Sequence, residues 1–253
     1  MSFDLTLLLA LTTAHLLADF VFQSDKDVEG KRRTTVQCKH ALVVAALSCV
    51  LAGDWRAWSI PVVIGLAHFL VDRAKLALSK NGLVVFAGDQ VAHLIVIAAV
   101  SWQSPQVYPA HSVWAGTWGV AFDKALLLAA GLILTVRVGG VVVGMLVKPY
   151  LDDLTHGQKD EPLIAKGKES QRGLAKGGRV IGELERGLIF FLVMIGKPEA
   201  VAFLVAAKSI FRFGELKDRE NRVEAEYITI GTMMSFMWGL ACAWVTWAVY
   251  GKM

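Results

Sequence analysis

The sequence predicts an all-α protein: a polytopic transmembrane helical bundle of about eight helices (seven to eight), with both termini on the periplasmic side. Three observations predict it. Of 253 residues, 55% are hydrophobic and only 19% charged, and the mean hydropathy is +0.51, a composition that belongs to an integral membrane protein rather than a soluble enzyme. Apolar stretches long enough to cross a bilayer recur along the chain, without the alternation of barrel strands. Lys and Arg gather in every second connection.

Taken in order, the apolar segments are 4–23, 38–53, 57–78, 83–103, 118–147, 179–196, 198–214 and 225–250. The N-terminus lacks the basic flank and small-residue cleavage site of a signal peptide, so the first segment is expected to stay in the mature protein. The fifth is overlong and holds Arg137 followed by VGGVVVGMLV, which reads as a re-entrant or interfacial piece. The seventh is short and ends in charge. A polar connection, 148–178, divides segments one to five (1–147) from six to eight (179–253) and is expected to be a mobile cytoplasmic loop. Asp152, Asp153 and His156 lie at its start.

The 24–39 connection carries Lys26, Lys31, Arg32, Arg33 and Lys39, and the third-to-fourth connection is flanked by Arg73, Lys75 and Lys80. The 148–178 and 212–224 stretches are basic too, whereas GDWRAW, 104–117 and GKPE are short or nearly uncharged. The positive-inside rule makes the basic loops cytoplasmic. Those loops account for the net charge of +4, so no nucleic-acid partner is expected. Cys38, Cys49 and Cys242 are dispersed and read as reduced, buried side chains.

The chemistry-bearing residues are seven that a bilayer should reject: His15, Asp19, His40, His68, Asp72, Asp89 and His93. Three pairs are His and Asp four residues apart, so each pair shares a helix face: His15 with Asp19, His68 with Asp72, Asp89 with His93. The third pair runs in reverse order. If segments one and three cross in one direction and segment four in the other, all the carboxylates fall on one side, with His15, His68 and His93 about 15 Å deep and Asp19, Asp72 and Asp89 about 21–23 Å. His40 is expected a few ångströms beyond the carboxylates, near the cytoplasmic surface. Imidazole with carboxylate suits a divalent metal ion, zinc first and manganese or iron next, at one or two ions per chain. Polar helix–helix packing is the competing account.

A second charge set occupies the C-terminal half. Arg137, Arg179, Arg186, Lys208 and Arg212 outnumber their neighbours Glu183, Glu185 and Glu215. They are candidates for binding a phosphate group, with internal ion pairing as the alternative.

HLLADFVFQ, HFLVDRAK and DQVAH, with GRVIGELERG, AAKSIFRFGELKDR and AEYITIGTMMSF further on, resemble the bacterial inner-membrane family catalogued as domain of unknown function 3307. The likeness covers most of the chain. It implies a multi-pass protein of the bacterial inner membrane, marks His15, Asp19, Gln23, His68, Asp72, Lys75, Asp89 and His93 by motif position, and implies no activity. A looser similarity is to membrane-bound metal-dependent hydrolases, whose helices also bear HxxxD motifs, although their HxxH elements have no counterpart here.

The expected function is a metal-dependent hydrolase at the cytoplasmic leaflet, acting on a lipid or isoprenoid-linked phosphoester or amide. Asp19 or Asp72 would take a proton from metal-activated water, Gln23 and Gln90 would orient the scissile group, and Lys75 would neutralise developing charge. One alternative is a transporter or channel using the same residues for a cation or protons. Another is a non-enzymatic scaffold or sensor with a structural metal.

Overall fold

A computed structural model describes residues 4–77, 82–104, 111–116, 118–157, 177–213 and 222–253, with side chains left out at 151–157, 211–213 and 222–225. Among these residues the fold is all-helical. Helix α1 (Leu5–Leu17) starts where the Asp4 carboxylate accepts from the Leu7 amide at 2.9 Å, satisfying one of the donors that every helix start leaves open. It runs into a π-helical turn, Ala18–Phe22, and stops at the extended residue Gln23. A reciprocal cap between Ser24 and Asp27 then opens the short α2 (Asp25–Glu29). Hydrogen bonds from Ser24, and next from Lys39, hold the exposed Asp27 carboxyl down at about 2.

Helix α3 (Thr34–Ala52) ends at Gly53, whose φ of +67° favours glycine. A Cβ there would lie 2.4 Å from the Trp114 ring, so the position is closed sterically as well. Helices α4 (Ser59–Ala77), α5 (Leu83–Gln103) and α6 (Gly119–Ile133) follow.

Two compact units emerge. The first, Met1–Ile133 with Val249–Met253, packs α1 against α3, α5 and α6, α3 against α4, and α4 against α5. Its apolar core includes Leu7, Leu11, Val44, Ile60, Ile64 and Ile97. The tightest crossing is at Gly65 on α4, where a Cβ would meet the Ala45 Cβ at 3.0 Å and the Ala41 carbonyl at 3.1 Å. Outward faces stay apolar: Leu42, Leu66, Leu70 and Val84 are all more than half exposed, a surface that hydrocarbon rather than water would cover.

The second unit is Leu134–Ala248. Helix α6 continues through a π-helical turn, Leu134–Val138, into α7 (Gly139–Gly157), and 119–150 is one apolar stretch. The piece after Arg137 is therefore a continuation of the helix rather than a re-entrant segment. Residues 148–157, expected in a loop, are helical also, and 158–176 lie outside the described residues. Helices α8 (Gly177–Met194), α9 (Val201–Phe213) and α10 (Arg222–Tyr250) complete the unit. A π turn breaks the regular ladder and frees carbonyls. Here Arg186 donates to the Val136 carbonyl through both Nε (3.2 Å) and Nη2 (3.0 Å), and Trp238 donates to that of Leu134 at 3.0 Å. Gly139, Gly140 and Gly182 give the guanidinium its room, since a Cβ at any of them would stand about 3.0–3.1 Å from the Arg186 side chain.

Among the described residues, five helical stretches are long and apolar enough to cross a membrane: Leu5–Phe22, Thr34–Ala52, Leu83–Gln103, Gly119–Tyr150 and Glu226–Tyr250. Helix α4 misses that standard through Asp72, Arg73 and Lys75, and α8 through Arg179, Glu183, Glu185 and Arg186. At 13 residues α9 is about 20 Å long, short of the roughly 30 Å of hydrocarbon.

Two outcomes are expected. Gly65→Leu should force α3 and α4 apart and cost about 1–3 kcal/mol, read as a lower melting temperature in detergent. An unchanged melting curve would refute the close crossing. Arg186→Met should strand the Val136 carbonyl at about 1–3 kcal/mol, and Arg186→Lys should restore little, because a single ammonium cannot reproduce the guanidinium fork.

Candidate metal centre

Four helices of the first unit each deliver a histidine to one buried layer. α1 supplies His15, α3 His40, α4 His68 and α5 His93, each at most 6% exposed. Asp72 and Asp89 sit one turn from their histidines and are buried with them. Asp19 falls in the π-helical turn, whose extra residue per turn swings the carboxylate off the line of α1. Its Oδ1 ends 4.0 Å from His15 Nδ1 but 3.0 Å from His40 Nε2 and 3.3 Å from His68 Nε2.

His40 is thus in the histidine layer rather than beyond the carboxylates. The difference has a simple cause: α3 begins at Thr34, four residues before its apolar run, so His40 is almost two turns into the helix. The Gly65 crossing then sets Ala41 against α4 and brings the two imidazoles together, with Nε2 atoms 3.0 Å apart.

Asp19 Oδ1, His40 Nε2 and His68 Nε2 therefore form a triangle with sides of 3.0, 3.0 and 3.3 Å. Ligand atoms around a tetrahedral zinc ion at about 2.0–2.1 Å stand about 3.3 Å from one another, so the triangle has the size of one face of such a polyhedron. Protons alone serve this arrangement badly. Either two N–H groups crowd one oxygen, or a nitrogen lone pair is left facing a neighbour. A cation above the triangle would accept a lone pair from each atom.

A second trio, Asp72, Asp89 and His93, shares no residue with the first. Its His93 ring stacks on His68 with centroids 4.0 Å apart. Both of its carboxylates carry an ammonium partner: Lys31 Nζ lies 3.2 and 3.3 Å from the Asp72 oxygens, and Lys75 Nζ 2.6 Å from Asp89 Oδ2. A third grouping joins His15, His68 and His93.

Gln90 ties the layer together. Its amide donates to Asp89 Oδ2 at 3.3 Å, and its oxygen lies 3.1 Å from His15 Nε2. With Nε2 protonated to donate that bond, His15 presents a bare lone pair at Nδ1. His15 Nδ1, His93 Nε2 and Asp89 Oδ1 are all buried without a hydrogen-bond partner. Such orphans are rare in a folded interior and are suited to receive a water or an ion.

The remaining candidates fall elsewhere. Gln23 follows the π turn, with its Nε2 buried and unpartnered. In the second unit Arg137 and Arg179 both pair with Glu183, and Lys208 pairs with Glu185. Arg186 donates to Ser235 and to the Val136 carbonyl. The side chains of Arg212, Glu215, Asp152, Asp153 and His156 lie outside the described residues. Four of the five proposed phosphate ligands thus have protein partners, as internal pairing requires.

Sequence reasoning missed Lys31 and Gln37. Gln37 donates to the Lys31 carbonyl at 2.8 Å and so fixes the backbone from which Lys31 reaches Asp72. A signal existed: Gln37 stands three residues before His40, on the inward stripe of its helix.

Residues 7–120 match a family described as "Protein of unknown function (DUF3307)". No curated relative and no solved structure matches the chain, and nothing in these comparisons supports the looser likeness to membrane hydrolases. The matched stretch, which is similar to the DUF3307 family, holds every residue of the His/Asp layer together with Lys31 and Lys75.

Proposed function

We propose that this membrane protein is a metal-dependent hydrolase working at the cytoplasmic leaflet on a lipid-linked or isoprenoid-linked phosphoester or amide. The observation that carries it is the Asp19–His40–His68 triangle, with both histidines buried, the Asp19 side chain 7% exposed, and the dimensions of a coordination face. A divalent ion there, zinc first by its ligand chemistry, would supply Lewis acidity and bring the pKa of water toward neutrality. Asp72, beside His68 at 3.8 Å, would take the proton released, with Lys31 adjusting its basicity. Lys75, half-buried at the same end, is placed to meet negative charge on the substrate. The basic set of the second unit is left out of the site, because its described members serve Glu183, Glu185 and the π turn.

Access favours catalysis over transport. One turn from each histidine, on the side away from the carboxylates, stand Leu11, Val44, Ile64 and Ile97. All four belong to the buried apolar core. A cation path to the far end would have to cross that layer, whereas the carboxylate end is lined by half-buried lysines.

In the proposed topology α4, α8 and α9 also lie in the membrane, giving eight segments with both termini periplasmic, in the bacterial inner membrane. Exposed Trp55, Trp58, Trp102 and Trp118 cluster at the connections opposite the basic ones, where an aromatic belt belongs.

Metal analysis of detergent-purified protein tests the centre. About one zinc, manganese or iron per chain is expected without chelators, and Asp19→Asn or His68→Ala should reduce it at least about tenfold, while Asp123→Asn should not. Chelation should lower the melting temperature of the wild type and leave those two variants unmoved. Less than about 0.2 ion per chain would refute the centre and leave polar packing. Topology is tested by labelling single cysteines in intact cells after replacing Cys38, Cys49 and Cys242: a probe at Gln158 should be protected and one at the C-terminus modified. The opposite pattern would move the site to the outer leaflet.

A further inference from the structure

The two trios differ in what balances their charge. Among the described residues no lysine touches the Asp19–His40–His68 triangle, whose partners are the site's own residues. In the second trio each carboxylate is matched by one ammonium, Asp72 by Lys31 and Asp89 by Lys75. With those four groups ionised the second trio is neutral before any ion enters. A divalent cation bound at Asp72, Asp89 and His93 would raise the local charge by two in a buried place, a costly state unless an anion arrives with it. The atoms to receive the cation are present: Asp89 Oδ1 and His93 Nε2 are buried, 3.6 Å apart, and without hydrogen-bond partners.

We infer that Asp72, Asp89 and His93 form a second cation site that fills together with a phosphate dianion, the ammonium groups of Lys31 and Lys75 passing from the carboxylates to the anion. This rests on the metal centre proposed above and narrows its substrate to the phosphate class. Charge then stays balanced at every stage: two ammoniums against two carboxylates before binding, and one divalent ion against one phosphate dianion added together. The half-buried positions of both lysines, 16% and 30% exposed, leave them free to turn toward an entering ligand. Two ions sharing a phosphate is also a recurrent solution for displacement at phosphorus. By linkage, whatever factor phosphate adds to the affinity for the second cation, the cation must add to the affinity for phosphate.

The test is a Mn²⁺ titration of the full-length protein in detergent, with and without inorganic phosphate, followed by ion count and electron paramagnetic resonance. One ion per chain is expected without phosphate. Two are expected with it, and the six-line spectrum should collapse into that of a coupled pair. Lys31→Met and Lys75→Met should let the second ion bind without phosphate, at least about tenfold more tightly than in the wild type, and should shrink the coupling. Repeating the titration in nanodiscs of phosphatidylcholine with and without phosphatidic acid separates sources: coupling there but not with free phosphate assigns a lipid monoester, and coupling with free phosphate assigns a small or soluble phosphate. One ion retained under every condition, with no response to either anion, would overturn the second site while leaving the first intact. No ion under any condition would instead overturn the metal centre itself.

Discussion

Asp19, His40 and His68 meet in the largely buried interior of the first unit, which is organised around making that meeting tolerable. A carboxylate and two imidazoles in a bundle interior cost free energy unless each lone pair and each N–H finds a partner. Three devices bring them together: the π turn that swings Asp19 inward, the glycine crossing that seats α4 on α3, and the early start of α3 that lifts His40 into the layer. Of the three, only the glycine crossing also serves apolar packing, against Ala45. A bundle built for stability alone would place leucine at those positions, as it does one turn away at Leu11, Val44, Ile64 and Ile97.

The π turns in the two units invite comparison because they resolve the same local defect in different ways. In the second unit the freed carbonyls are taken up by Arg186 and Trp238, and the guanidinium is enclosed by glycines and by Ser235. Those two carbonyls are satisfied, although the Thr135 hydroxyl of the same turn is buried without a hydrogen-bond partner. In the first unit the π turn leads to a carboxylate surrounded by nitrogens, with buried ring and carboxylate atoms nearby that have no partner. The unpartnered ring and carboxylate atoms thus lie in the first unit, which is also where the family match lies.

Much of this was legible in the chain. The reversed order of Asp89 and His93 against the other two pairs could be read directly, because antiparallel helices must reverse a motif to keep its residues at one depth. Helical class and apolar segments followed from composition and length. Other features were hidden for physical reasons. The start of α3 depends on a polar turn that no apolar count includes. The role of Lys31 depends on a connection folding back over Asp72, held by a Gln37 contact across six residues. The π turns have no sequence pattern comparable to a glycine cap. The excess of Arg and Lys over Glu in the second half suggested free cations, but a tally of charges does not count backbone carbonyls or hydroxyls as partners, and Arg186 uses both.

The asymmetry along the bundle axis constrains what the site can do. Toward one end lie the carboxylates and two half-buried lysines; toward the other, each histidine is backed by an aliphatic side chain on its own helix. Such a layer excludes water from the imidazole side, which strengthens electrostatic interactions within the site. In the proposed function, exchange would come from the carboxylate side. A transporter must open alternately to both faces, which here would require four packed side chains on four helices to part. A hydrolytic centre needs only one mouth, and a substrate held in the membrane could present its charged group to the lysines while its apolar part remained among the lipid-facing surfaces of Leu66, Leu70 and Val84.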